Sequence, residues 1–297
     1  MIRSKSNRRF QIFAYCVLSV VAVIVLVPFV LLFVSSFTDE NVLITYGYSF
    51  FPRKLSLESY AYIFKHADTI FRAYSVTILV TVIGTAVNTL LTVLLAYPLS
   101  LRGLPGKRAL TFYVFFTMLF NGGLVPTYML YANYLNIKNT IWALIVPGFL
   151  LSAMNVLLMR TYMVTSIPSA LYEAASIDGA SQFTVFAKIV LPLSKPIMVT
   201  LGIFSALGYW NDWTNALYYI TDKNMYSIQS LLNKMLTDMQ VLNSGTFAGV
   251  GTAEAASIPS TGVRMAIALV AMLPLIVTFP FLQKYFQKGI ALGAVKG

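Results

Sequence analysis

The sequence predicts an all-α integral membrane protein with six transmembrane helices. Three observations point there. Of the 297 residues, 58% are hydrophobic and only 10% charged, far from the balance of a soluble domain. Six stretches supply the roughly 20 mostly apolar residues that a helix needs to cross the hydrocarbon core. Lipid offers backbone amides and carbonyls no partners, so these stretches cross as helices, and the short alternating segments of a barrel do not occur.

The first span, 11–36, follows a basic start of Arg3, Lys5, Arg8 and Arg9. Its apolar run from Phe10 to Val34 exceeds the ~7–15 residues of a signal core, which predicts a retained anchor. The single Cys16 lies within this span and cannot form an internal disulfide. An outer loop, 37–73, carries the single histidine, His66, read as a surface residue. In the second span, 74–99, Thr77, Thr81, Thr85, Asn88 and Thr92 recur every three or four residues as a polar stripe. Thr can bond its own helix backbone and Asn can join neighbouring helices, so the stripe is read first as packing.

The third span, 109–132, is interrupted by Asn121-Gly122-Gly123 and Pro126. Broken helices line cavities or protein interfaces rather than lipid. The fourth span, 140–163, carries an isolated polar residue, Asn155. The fifth, 196–220, contains Trp210-Asn211-Asp212-Trp213, which supports two readings. Carboxylate, amide and aromatic faces suit a pathway for hydroxyl-rich molecules, and aromatics also form belts at the membrane surface. A second outer loop, 221–264, pairs an amphipathic helix (Ile228, Leu231, Leu232, Met235, Leu236, Met239) with a small-residue stretch from Ser244 to Ser260. That helix is read as lying on the bundle or docking an external partner. The sixth span is 265–286. The chain thus divides into 1–73 (tail, first helix, first outer loop), a core of 74–287, and a basic tail, 288–297.

The net charge of +11 sorts by topology. With the N-terminus inside, segments 1–10, 100–108, 160–195 and 284–297 face the cytoplasm. They hold Arg3, Lys5, Arg8, Arg9, Arg102, Lys107, Arg108, Arg160, Lys188, Lys195, Lys284, Lys288 and Lys296 against Glu173 and Asp178. The other basic and acidic residues cancel, so the whole excess falls on one face, as the positive-inside rule requires. An even number of spans then places both termini inside, and nucleic-acid binding is not needed to explain the charge. No Gly-x-x-x-x-Gly-Lys-Ser/Thr phosphate loop, Ser–His–Asp set or metal cluster occurs, which argues against an enzyme with its own ATPase site.

The segment Glu173-Ala174-Ala175-Ser176-Ile177-Asp178-Gly179, followed by Ile189-Val190-Leu191-Pro192, is a polar island between two greasy spans. Pro168 suits a helix start, with Ser166 and Ser169 as candidate caps. Ala174 and Ala175 leave the helix surface thin enough for a partner to approach. Gly179 permits a bend into a second helix at about 180–188, and Pro192 and Pro196 re-aim the chain. The expected product is a helix–bend–helix projecting into the cytoplasm within a loop of 165–195.

This pattern resembles the EAA loop of ABC importer permeases, with Glu173, Ala174, Ala175, Gly179, Ile189, Leu191 and Pro192 at every fixed position. Trp210-Asn211-Asp212 is similar to the fifth helix of the carbohydrate-uptake branch. The ending from Pro280 to Gly297 resembles its maltose-type second permease subunit, and the whole chain looks like permeases for aldouronates and other polysaccharide fragments. The resemblance implies a type I ABC importer permease architecture in a bacterial cell membrane. It also implies a second, homologous permease subunit, two ABC ATPase subunits that use the ATP, an extracytoplasmic solute-binding protein and a sugar cargo, with no cofactor bound by this chain. By the same resemblance Glu173, Ala174, Ala175, Asp178, Gly179, Ile189, Leu191 and Pro192 couple to the ATPase. Asn88, Asn121, Asn155, Trp210, Asn211 and Asp212 are candidates for the substrate pathway. The competing reading is an ion-gradient-driven secondary transporter of small polar solutes, opposed by the absence of an internal repeat and of several membrane-embedded charges.

Overall fold

A computed structural model describes residues 5–243 and 261–294, and these are almost entirely helical. Residues 1–4, 244–260 and 295–297, which include the small-residue stretch of the second outer loop and the end of the basic tail, lie outside the described residues. The chain forms two compact units, the first from Met1–Asp68 and Lys234–Pro274, the second from Thr69–Asn233 and Leu275–Gly297.

In the first unit the Lys5–Ser36 helix exposes apolar side chains around its whole circumference, among them Phe13, Leu18, Ile24 and Phe29. A helix apolar on every side belongs in lipid or against protein. The expected outer loop is itself structured. A bridge between Thr38 and Leu55 closes it, and helices Glu40–Tyr46 and Glu58–Lys65 follow its two halves. Glu40 then caps the long Thr261–Ala294 helix, accepting from the amides of Thr261 and Gly262 at 2.8 Å each. A carboxylate at a helix N-terminus satisfies free amides and opposes the helix dipole. This last helix runs on through most of the tail expected at 288–297, as far as Ala294.

The second unit is organised by the Ala67–Ser100 helix, which begins before the expected span. Residues Ala73, Thr77, Val80, Gly84, Asn88, Thr92, Ala96 and Leu99, three and four apart, form its buried face. The Thr/Asn stripe is therefore largely a packing face, as its spacing predicts. Thr77 donates to Ala73 O and accepts from Ile228 N at 2.9 Å, seating the start of the Ile228–Asn243 helix that the outer-loop periodicity predicts. One apolar cluster (Val80, Ala143, Ile145, Tyr209, Tyr219) lies along the N-terminal half of the Ala67–Ser100 helix, and another (Val93, Leu99, Met159, Val190) along its C-terminal end.

Gly84 leaves room for the Tyr209 ring of the Lys195–Asn211 helix. A Cβ there would stand 2.5 Å from Tyr209 Cζ, and Tyr209 is tethered by its hydroxyl to Ile145 O at 3.0 Å. That tether opposes a shift of the ring. Gly84→Ala is expected to destabilise the protein by about 1–3 kcal/mol of overpacking, read as a lower melting temperature of the purified complex. An unchanged melting temperature would show that the ring can shift.

Among the described residues, three helices are long and apolar enough to cross a membrane: Arg8–Ser36, Ala67–Ser100 and Thr261–Thr278. Two bent pairs can be counted as one span each. Lys107–Leu119 and Leu124–Tyr134 meet at 109°, and Gln182–Leu193 and Lys195–Asn211 at 73°. The first bend falls at Asn121-Gly122-Gly123, where Asn121 Oδ1 accepts from Gly123 N at 2.9 Å. The sequence predicts this break.

The fourth span departs from expectation. Instead of one helix over 140–163 the chain forms Trp142–Ile145, an irregular stretch at 146–152, and Ala153–Ser166. Pro147 removes a donor and Gly148 takes φ 76°. Side chains from other elements occupy the carbonyls thus released. Tyr209 donates to Ile145 O, Asn215 to Pro147 O at 2.9 Å, and Asn88 to Phe149 O at 2.7 Å and Leu150 O at 3.3 Å. An irregular backbone within so apolar a stretch needs protein groups to complete its hydrogen bonds, and these side chains supply them.

Candidate functional site

The polar island folds as a self-closing turn. Pro168 stands at the N-cap with φ −60° and ψ 135°, and the helix runs Ser169–Ile177. Neither Ser166 nor Ser169 caps it through its side chain, contrary to expectation. Its C-terminus closes with two bonds, from Gly179 N to Ser176 O at 3.2 Å and from Ala180 N to Ala175 O at 2.9 Å. These are the paired bonds of a Schellman motif, with Gly179 at its left-handed position, φ 67°. The motif also needs a small apolar contact between the residues that its longer bond joins. Ala175 and Ala180 supply it, both packed on the cluster around Leu99 and Met159. The spacing from Ala175 to Gly179 is thus fixed by the turn that ends the helix.

The second half starts at Ser181, whose Oγ accepts from Thr184 N at 3.2 Å. Helix Gln182–Val185 widens into a π-turn at Phe186–Val190 and passes through Leu191–Leu193. Pro192, with no amide hydrogen, sits just before the 73° bend, and Pro196 just after it. Tyr97 reaches from the Ala67–Ser100 helix to donate to Gln182 Oε1 at 2.9 Å, fixing the second half to the bundle. Burial, with a smaller contribution from nearby Tyr97, pushes the phenol of Tyr172 up. Behind the loop lies a cleft of about 440 Å³ lined by Arg102, Lys107, Arg160, Tyr172 and Glu173 among others.

The eight residues expected in the loop divide by direction. Ala175 is buried and Ile189 and Leu191 are half-buried, all against the same apolar cluster. Glu173, Ala174, Asp178, Gly179 and Pro192 are exposed. Of the two alanines only Ala174 leaves a thin outer surface, because the turn turns Ala175 inward. Sequence reasoning passed over two residues that dominate the outer face. Ile177 is 86% exposed and Phe183 76%, one on each side of the bend. Large apolar residues at the tip of an otherwise polar loop were the available signal.

The six residues expected along a substrate pathway do not form one cluster. Asn88 is buried and accepts from Ser205 Oγ at 2.7 Å, and Asn155 Nδ2 donates to the same Ser205 Oγ at 3.4 Å. These two asparagines therefore join three segments of the bundle. Asp212 is also buried, its Oδ1 accepting from Thr214 N at 3.0 Å and Asn215 N at 3.3 Å. That carboxylate organises the turn that ends the Lys195–Asn211 helix. Trp210 is buried, its indole nitrogen unpartnered among the described residues. Asn121 and Asn211 are exposed, and Asn211 Oδ1 accepts from Gln229 Nε2 at 3.5 Å.

Several known proteins are similar to this chain in sequence or in fold. Protein LplC of Bacillus subtilis (strain 168) is 36% identical over 299 residues, covering 100% of this chain and 98% of its own length. The polygalacturonan/rhamnogalacturonan transport system permease protein YtcP of the same strain is 38% identical, over 98% of this chain and 99% of its own. A crystal structure of a bacterial ABC transporter involved in the import of the acidic polysaccharide alginate contains a chain with a TM-score of 0.79 and 28% identity. The match spans 96% of this chain and 99% of that one. Residues 90–292, which include the whole helix–bend–helix, match the model of one family. The chain belongs to that family, the binding-protein-dependent transport system inner membrane components, and is a permease subunit of an ABC importer.

Proposed function

We propose that this chain forms half of the translocation pathway of an ATP-driven importer of oligosaccharides, and that Glu173–Pro192 is its joint with an ATPase subunit. The observation that carries the reading is the preformed loop. It is anchored from within by Ala175, Ile189 and Leu191, and presents Glu173, Ala174, Ile177, Asp178 and Phe183 outward. A rigid projection with an apolar tip fits a groove on a partner and can transmit its movement. The chain has no phosphate loop of its own, so the power comes from elsewhere. The full assembly pairs this chain with a second, homologous permease subunit, two ATPases and an external binding protein. Six crossings place both termini in the cytoplasm, with the broken fourth segment counted as one, consistent with the one-sided excess of basic residues.

A carbohydrate cargo is supported by YtcP, named as a polygalacturonan/rhamnogalacturonan transport system permease, and by the alginate importer. The exposed Asn211 and the half-buried Gln229 offer amides suited to hydroxyl groups. Asn88, Asn155, Trp210 and Asp212 shape the bundle around the pathway, and Asn121 lies at the bend of the third span. Family membership leaves the ion-gradient-driven alternative without support. Reconstituted with its partners, the complex is expected to hydrolyse ATP faster when an oligosaccharide-loaded binding protein is added, and to accumulate sugar only with ATP. Uptake that follows a proton or sodium gradient without ATP would overturn the reading.

A further inference from the structure

The start of the Lys107–Leu119 helix carries an electrostatic anomaly. Its first turn has no acidic residue and no side-chain cap, and Gly106 stands at the N-cap. The positive end of the helix dipole instead meets two cations, Lys107 and Arg108, an unfavourable pairing. Arg160, from the Ala153–Ser166 helix, faces the same place and lines a shallow groove with both. Arg102 adds a fourth cation on the cleft side, where Glu173 also lines the wall.

The groups near these cations compensate them only in part. Lys107 Nζ donates to Leu101 O at 2.7 Å and Ser100 O at 3.4 Å, and Arg160 Nε to Leu99 O at 3.0 Å. Those carbonyls at the end of the Ala67–Ser100 helix orient the two side chains without neutralising them. The ion pairs among the described residues, Lys54–Asp39 and Lys234–Asp238, involve none of the four. Burial, and then the neighbouring charges of Arg160 and Arg102, push the Lys107 ammonium down.

Apart from Thr111, the rest of the groove is apolar. From the charges it continues onto Phe112, Phe115 and Leu157, with Phe112 and Phe115 exposed. Charge at one end and hydrocarbon along the remainder match an amphiphile, whereas a free anion would use only the charged end. We propose that the groove between the Lys107–Leu119 and Ala153–Ser166 helices holds an anionic phospholipid, its phosphate among Lys107, Arg108 and Arg160 and an acyl chain along Phe112, Phe115 and Leu157. The proposal rests on the membrane placement given above, in which residues 100–108 lie at the cytoplasmic surface, where anionic headgroups attract basic residues.

The test uses the whole importer complex in nanodiscs of phosphatidylcholine with graded phosphatidylglycerol, then extracted in mild detergent. Retained phosphatidylglycerol is counted by native mass spectrometry. Arg108→Gln is expected to reduce retention by about fivefold, and adding Lys107→Gln by about as much again. The charge-preserving Arg108→Lys, in a complex that elutes intact on size exclusion, is expected to keep most of it. A photo-reactive side chain at position 112 is expected to label lipid. Equal retention in wild type and both Gln variants, displacement by millimolar inorganic phosphate alone, or labelling at 112 of a partner protein would each overturn the proposal. A cysteine at position 102 checks the membrane placement separately. Labelling from outside would refute that placement, whereas the retention counts judge the lipid groove.

Discussion

Gly179→Arg is expected to lower ATP-dependent uptake by more than about tenfold while the importer still assembles and inserts. At Gly179 the backbone is left-handed, φ 67°, which a residue with a Cβ adopts at a cost of roughly 1–2 kcal/mol. Space is not the obstacle, since nothing lies within 4 Å of a Cβ built there. The damage comes from reopening the turn that holds Ala180 against Ala175 and from setting a long cation on the outer face. Losing about 1.4 kcal/mol of docking already means a tenfold change in affinity. Gly179→Ala separates the two causes, because it strains the backbone without adding bulk and is expected to leave more transport than the arginine. The readout is the ratio of uptake to ATP hydrolysis in proteoliposomes. Were Gly179→Arg to leave both uptake and substrate-stimulated hydrolysis at the wild-type level, the loop would not be the joint.

The second large effect is expected at Asn88. Asn88→Leu would leave Phe149 O and Leu150 O without a donor and Ser205 Oγ without its acceptor, all inside the bundle. A stranded buried polar group costs about 1–3 kcal/mol, so a loss on the order of 2–4 kcal/mol is expected, more than most single substitutions produce. The melting temperature of the complex is expected to fall sharply. Ser205→Ala added to Asn88→Leu is expected to cost less than the two single effects combined, because the residues share one network. Strict additivity would show that the Asn88–Ser205 bond carries no energy.

Much of the fold was legible because hydropathy and charge report directly on where a segment can reside. The long first, second and last helices, the break at Asn121-Gly122-Gly123 and the helix from Ile228 all announce themselves locally. The break at 146–152 did not. Its residues are apolar enough to pass as helix, and what makes an irregular path tolerable is Asn88, Tyr209 and Asn215, more than 60 positions away in the chain. Hydropathy states whether a segment suits lipid; it is silent on who completes its backbone bonds. The loop shows the same division. Gly179 marked the bend from sequence alone, but Ala174 and Ala175 looked equivalent until the turn placed one outside and one in the core. Asp212 invited a ligand role by composition, yet its oxygen is engaged by two backbone amides.

The Schellman closure and the Ser181 cap have an engineering consequence. Both are made by backbone and side chains within residues 175–184, so the shape of the projection is written into a short contiguous stretch. Such a stretch behaves as a cassette. Grafted from one relative into another, it would bring its own geometry and need from its host an apolar seat for Ala175 and Ala180 and a hydroxyl donor for Gln182. Ile177 and Phe183 on the outer face could then be exchanged like the teeth of a key, leaving the lock mounting untouched.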